Sequence, residues 1–161
     1  MKYGSLLVAV SLVFLGCSSK PLAHLENEKL LDFGMANSKK VEVLNDKDSK
    51  TYFTITYLNP IQHELINPLE SEKFIVGIYI ATGDATLESM VPTNFEVNDS
   101  NESISVTKLE KDAPLLSLIS SSNPWTEYLL IEAPYTKAHK MKLSFENDHS
   151  VKVSVDFQKD F

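Results

Sequence analysis

The C-terminal stretch MKLSFENDHSVKVSVDF, residues 141–157, gives the clearest indication of the fold. Apolar residues occupy every second position from Met141 to Phe145 and again from Val151 to Phe157, and the polar segment 147–150 separates the two runs. Period-two alternation is typical of strands with one buried face, and a short polar interruption indicates a hairpin. The sequence therefore predicts a terminal β-hairpin whose Lys and Asp side chains face the solvent.

Patterns of the same kind extend upstream. Six further segments have the composition of short strands: residues 41–44, 52–58, 74–81, 94–97, 103–109 and 125–133. Segment 74–81 is nearly all apolar, which predicts a central strand buried on both faces, whereas segment 114–119 fits either a strand or one helical turn. Seven or eight short strands with polar turns predict a mainly β fold, an immunoglobulin-like antiparallel β-sandwich. A jelly-roll or transthyretin-like order of strands is compatible with the same pattern.

The N-terminus has the features of a secretory signal peptide. Lys2 supplies a positive charge, residues 6–15 form an uncharged run, and a small residue, Gly16, follows. The run of about ten residues is half of the about 20 that a spanning helix needs, so a retained transmembrane anchor is not expected.

The sequence FLGC at residues 14–17 resembles the lipobox of bacterial lipoproteins, although Phe14 departs from the usual Leu, Val or Ile. The resemblance implies that Cys17 becomes the mature N-terminus and carries two or three acyl chains. It also implies sorting to the outer membrane, because Ser18 follows the cysteine, and it leaves the membrane face open. The expected organisation is a signal peptide over residues 1–16, a lipidated cysteine and tether over 17–38, and the sandwich over 39–161. The tether is interpreted as a linker; a short helix that caps the domain is the alternative.

The composition limits the kinds of function and partner that are expected. The 161 residues carry a net charge of −7 with 15 lysines and no arginine, and loss of Lys2 with the signal peptide makes the charge −8. Nucleic acid is therefore not an expected partner, because phosphate and guanine recognition rely on arginine. Cys17 is the only cysteine, so no internal disulfide or CxxC site can form. No catalytic residues and no cofactor are predicted, since neither a GxSxG motif nor a Gly-rich phosphate loop occurs.

The metal-binding candidates are weak. The pair His139 and Met141 resembles the HxM motif of periplasmic copper chaperones, in which imidazole and thioether hold Cu(I). That family also needs a Met-rich segment upstream, which this chain lacks. His149 is the third weak candidate, and Met141 also fits the core face of the hairpin.

Two acceptor motifs for N-glycosylation lie in the polar segment EVNDSNES, residues 96–103. Asn98 and Asn101 each begin an N-x-S triplet, and each has an acid two residues before it, Glu96 or Asp99. This pattern resembles the extended sequon of the N-glycosylation system of some Gram-negative bacteria. The alternative is an ordinary polar turn between strands.

The function that fits this combination is a non-enzymatic binding or scaffolding module, anchored to the membrane by its lipid and engaging an envelope or surface protein. The candidate contact residues are apolar side chains in loops: Leu115, Leu116, Trp125 and Tyr135. Each has core packing as its alternative, and for Trp125 core packing is favoured. An accessory lipoprotein of a secretion or motility machine, of pilotin or type VI kind, and a periplasmic metal or small-ligand binder are the alternative functions.

Overall fold

The computed structural model describes residues 22–44, 49–81, 91–120, 122–147 and 149–159. The predicted signal peptide, residues 1–16, and Cys17 lie outside these ranges. The elements are α1 (Leu22–Ala36), β1 (Ser38–Leu44), β2 (Lys50–Tyr57), β3 (Ser71–Ala81), β4 (Thr93–Val97), β5 (Ser105–Leu109), a 3-10 helix (Pro114–Leu118), β6 (Glu127–Pro134), β7 (Lys140–Glu146) and β8 (Lys152–Gln158). Each of the eight segments predicted as strands overlaps a strand of the structure, so the predicted mainly β fold is confirmed.

The strands of the described residues form two antiparallel sheets, with the orders β1-β2-β3-β6-β5 and β4-β7-β8. Immunoglobulin constant domains have strands A, B, E and D in one sheet and C, F and G in the other. Strands β2 to β8 reproduce this order, and β1 adds an edge strand beside β2. The immunoglobulin-like sandwich is therefore confirmed. The strand order, which the sequence pattern left open, is the immunoglobulin order rather than a jelly-roll or transthyretin-like one.

The inner core lies between the two sheets and is rich in aromatic rings. In the terminal hairpin Met141 pairs with Phe157 and Phe145 with Val153, so the predicted core-facing residues share one face. The Phe145 ring lies 5.0 Å from Phe53 of β2 in an edge-on contact. Such contacts add about 0.5–1.5 kcal/mol beyond the burial of apolar surface.

A second apolar cluster covers part of the outer face of the five-stranded sheet. We call it the outer cluster; its buried members are Leu58, Ile61, Ile66, Ile75, Leu116, Leu118, Ile119 and Tyr128. Its presence explains why β3 is apolar on both faces, because Phe74 points into the inner core while Ile75 points into the outer cluster. The ambiguous segment 114–119 is a 3-10 helix that supplies Leu116 and Leu118 to this cluster.

Helix α1 caps the outer cluster, so the helical alternative describes residues 22–36 better than a linker does. Leu30 packs against the cluster. Gly34 approaches the 3-10 helix so closely that a Cβ atom there would lie 2.5 Å from the carbonyl oxygen of Leu118. The backbone N–H of Tyr57 donates to the carbonyl of Asn37 at 3.0 Å, which joins the end of the helix to the sheet.

Candidate functional site

An open groove of about 330 Å³ lies on the part of the outer sheet face that the outer cluster leaves uncovered. We call it the tyrosine groove; its lining residues are Lys40, Tyr52, Thr54, Thr56, Ile75, Gly77, Tyr79, Ile119, Asn123, Thr126 and Tyr128. The strand register explains their proximity, because Tyr52 is opposite Tyr79 and Thr54 is opposite Gly77. Outward-facing residues two apart on neighbouring strands thus build a continuous surface.

Gly77 creates the depression at the centre of the groove. It pairs with Thr54 on one side and with Tyr128 on the other, in the middle of the central strand β3. A Cβ atom on Gly77 would lie 3.1 Å from the Tyr128 ring and 3.1 Å from the methyl group of Thr126. A glycine inside a strand often marks a close approach of other groups. Here its missing side chain admits the Tyr128 ring from β6 and leaves the sheet surface open beside it.

Tyr52 and Tyr79 form an aromatic surface at one end of the groove. Their ring centroids lie 6.1 Å apart with an angle of 31° between the ring planes. Tyr79 is 40% exposed and Tyr52 is half-buried, so both rings keep accessible area. A tyrosine ring offers apolar surface together with a hydroxyl group at its tip, which suits a ligand that is part apolar and part polar.

The loop before β6 forms the opposite rim. The backbone N–H of Asn123 donates to the Tyr128 hydroxyl at 3.0 Å, and the Asn123 side-chain oxygen accepts from the backbone N–H of Trp125 at 2.9 Å. Trp125 lies two residues after Asn123, and its side chain is 74% exposed. These bonds fix the loop, so the rim of the groove is set before any ligand arrives.

The charge in the groove is low. Of the described residues that line it, only Lys40 carries a formal charge at neutral pH. Glu42 lies opposite Tyr52 on the edge strand and pairs with Lys50 at 2.6 Å. That hydrogen bond raises the pKa of Lys50, so the Lys50 side chain stays protonated at neutral pH.

The structure places the four candidate contact residues predicted from the sequence in different surroundings. Trp125 is exposed, so the favoured interpretation of it as a core residue is wrong. Leu116 is 6% exposed and belongs to the outer cluster, which leaves it no surface for a partner, and Leu115 packs half-buried against the same cluster. Tyr135 is half-buried with the Lys159 ammonium 4.2 Å from its ring centroid. Of the four, only Trp125 adjoins the tyrosine groove.

The groove tyrosines were not singled out from the sequence. Tyr52 and Tyr79 lie on the outward-facing positions of β2 and β3, where alternation predicts polar residues. An aromatic ring on the polar face of a strand is the signal that marks them. Gly77 within an otherwise apolar strand is the second signal.

The weak metal candidates are not brought together. Met141 is fully buried in the inner core, and its sulfur accepts a hydrogen bond from the Asn98 amide at 3.7 Å. His139 precedes β7, while His149 lies in the turn at the other end of the same hairpin. Within the ranges that the structure describes, no three His, Cys, Asp or Glu side chains converge on one point.

The two sequon asparagines differ in their surroundings. Asn98 and Asp99 both have positive φ, 51° and 63°, as a two-residue type I′ hairpin turn requires. The Asn98 side-chain oxygen also accepts from the backbone N–H of Lys142 at 2.9 Å, so its amide is engaged with β7. Asn101 lies three residues further along the chain, and its side chain is exposed. The geometry therefore favours Asn101 over Asn98 as an acceptor.

A buried ionic cluster is the other concentration of polar groups. Glu72 is 0% exposed and Lys159 is 4% exposed, and the ammonium lies 2.5 Å from the carboxylate. Tyr57 donates its hydroxyl to the second carboxylate oxygen at 2.6 Å, and the backbone N–H of Thr136 donates to the first at 2.9 Å. Burial, followed by the bond to Glu72, raises the pKa of Tyr57 far above its ordinary value. The ion pair links the end of β8 to β3. Because both side chains are buried, the cluster offers no access to a substrate.

No family model, curated protein or solved structure matches this chain. Within the described ranges, no helix has both the length and the hydropathy of a membrane span.

Proposed function

We propose that this protein is an outer-membrane-anchored lipoprotein whose sandwich is a non-enzymatic binding module, with the tyrosine groove as its binding face. The observation that carries the binding role is the open, aromatic groove beside an exposed tryptophan, since large accessible aromatic surfaces mark interaction sites. The lipobox-like sequence around Cys17 supports the anchor.

The segment between Cys17 and the start of α1 is short. Only residues 18–21 separate Cys17 from the start of α1 at Leu22. A fully extended chain reaches at most about 3.6 Å per residue, so these residues span under about 20 Å. We therefore expect the module to work near the membrane surface, on a ligand from the envelope or from a neighbouring surface.

The anchor is tested by replacing Cys17 with serine. We expect the wild-type chain to partition with the membrane fraction and the Cys17→Ser variant to appear in the soluble fraction, because each buried CH₂ of an acyl chain contributes about 0.8 kcal/mol. Intact mass of the purified wild-type protein should show the acyl chains. A purified wild-type protein whose intact mass shows no acyl chains would contradict lipid anchoring.

The binding face is tested with a photo-crosslinking amino acid at Thr54, on the groove floor. Illumination of cells should give a repeatable adduct of defined mass, identified as protein or carbohydrate by mass spectrometry. The double substitution Tyr52→Ser with Tyr79→Ser should abolish the adduct. Val106→Thr, an exposed position on the edge strand β5 outside the groove, is the matched control and should preserve it. Absence of any repeatable adduct would refute the binding role.

The identity of the adduct also separates the alternative forms of this proposal. A subunit of a secretion or motility machine would make the protein an accessory lipoprotein of that machine. The structure gives no support to a metal-binding function through His139, Met141 and His149, because Met141 is buried and the two histidines lie at opposite ends of the hairpin.

A further inference from the structure

We infer that the tyrosine groove binds a neutral oligosaccharide with equatorial substituents, such as a β-1,4-linked glucose or N-acetylglucosamine chain. This inference rests on the proposed binding function and names the chemical class of its ligand. It departs from the protein partner that the sequence suggested.

The rings of Tyr52 and Tyr79 provide the stacking surface. In an equatorially substituted sugar the hydroxyl groups point outward around the ring, and both ring faces consist of C–H bonds. Such a face packs against the negative face of an aromatic ring. The two tyrosines lie on neighbouring strands with centroids 6.1 Å apart and retain accessible area, so they form a platform rather than a closed core contact.

The groove floor offers hydrogen bonds of the kind that sugars need. Thr54 contributes a hydroxyl, Lys40 an ammonium group and Asn123 the NH₂ group of its amide, whose oxygen accepts from Trp125. Sugar hydroxyls both donate and accept, as do threonine hydroxyls and asparagine amides. Gly77 removes the side chain that would otherwise hold a ring away from the sheet. From Tyr52 to Thr56 the floor extends about 13 Å, longer than a single sugar ring.

Other ligand classes fit less well. Extended peptides gain affinity by pairing with free backbone groups at a sheet edge, but β2, β3 and β6 under the groove each pair with strands on both sides. A charged ligand would meet only Lys40 among the lining residues. A bound lipid or other apolar molecule is buried over most of its surface, whereas this groove is open along the sheet surface.

The single tryptophan makes the inference measurable. Trp125 is the only tryptophan of the chain and lies between the lining residues Asn123 and Thr126, so its fluorescence reports on occupancy of the groove. The lipidated full-length mature protein is purified in a detergent without sugar groups and titrated with cellotetraose and with chitotetraose. A saturable change in fluorescence is expected for at least one of them.

Variants assign the signal to the groove. Tyr79→Ala and Tyr52→Ala should each weaken binding by about tenfold, the effect of losing one aromatic contact. Phe33→Ala removes an exposed aromatic ring on α1, outside the groove, and should change the affinity by less than about twofold. Circular dichroism confirms that each variant is folded.

Each outcome decides the inference. Saturable binding that depends on Tyr52 and Tyr79 supports it. Binding that survives both substitutions, or no response to either sugar, overturns it. In the latter case a groove-dependent protein adduct at Thr54 would preserve the proposed binding function, whereas the absence of that adduct as well would refute both.

Discussion

The buried pair of Glu72 and Lys159 gives the sharpest prediction about stability. Replacing Lys159 with methionine keeps most of the side-chain volume and removes the ammonium group. Glu72, at 0% exposure, then keeps its bonds from Tyr57 and Thr136 but loses its only buried cation in the described structure. Removing one partner of a buried pair costs about 3–5 kcal/mol. This is a large share of the about 5–15 kcal/mol that stabilises an ordinary domain.

Urea unfolding at pH 7, followed by circular dichroism, measures this loss. The matched control is Lys152→Met, because Lys152 pairs with Glu96 at 2.8 Å with side-chain exposures of 55% and 33%. An exposed pair of this kind contributes at most about 1 kcal/mol. Adding Glu72→Gln to Lys159→Met should recover part of the loss, because the amide removes the unpaired charge and still accepts hydrogen bonds. Equal losses for the Lys159 and Lys152 variants would refute the argument that burial makes the Glu72 pair strong.

Three further predictions concern other parts of the molecule. The pKa of Tyr57 is raised above its ordinary value of 10.0, so the unfolded chain ionises first and the stability that this group contributes below pH 10 falls as the pH rises above it. The difference in unfolding free energy between wild type and Tyr57→Phe should therefore shrink above pH 10; a constant difference in urea unfolding would contradict the shift. Gly34→Ala should lower the melting temperature, because the added Cβ meets the carbonyl of Leu118, although glycine to alanine inside a helix otherwise stabilises by about 1 kcal/mol. A rise in melting temperature would show that α1 does not make this contact. In the native protein from its source, mass spectrometry should find glycan on Asn101 and not on Asn98; two unmodified peptides would count against use of the sequons.

Local patterns were sufficient for the strands. Alternation from Met141 to Phe145 and from Val151 to Phe157 predicted a hairpin, and in the structure β7 and β8 pair as that hairpin. The apolar run of 74–81 predicted a strand buried on both faces, and β3 is that strand. These predictions succeed because the direction of a side chain in a strand depends only on its parity along the chain.

Contacts between residues far apart in the chain could not be predicted from the sequence. Lys159 meets Glu72 across 87 positions of the chain, and no local pattern marks either residue for burial. Core packing was favoured for Trp125, the first residue of the predicted strand 125–133, yet its side chain is exposed, because β6 begins only at Glu127.

Residue patterns alone predicted a mainly β chain of about eight strands with a terminal hairpin, and the lipobox-like motif suggested the lipid anchor at Cys17. The order of the strands, the outer cluster under α1 and the groove between Tyr52 and Tyr128 emerged from the folded structure. This difference arises because periodicity records which face of a strand is buried, whereas strand order and surface shape depend on contacts between segments far apart in the chain. The tyrosine groove forms only because β2, β3 and β6 lie side by side.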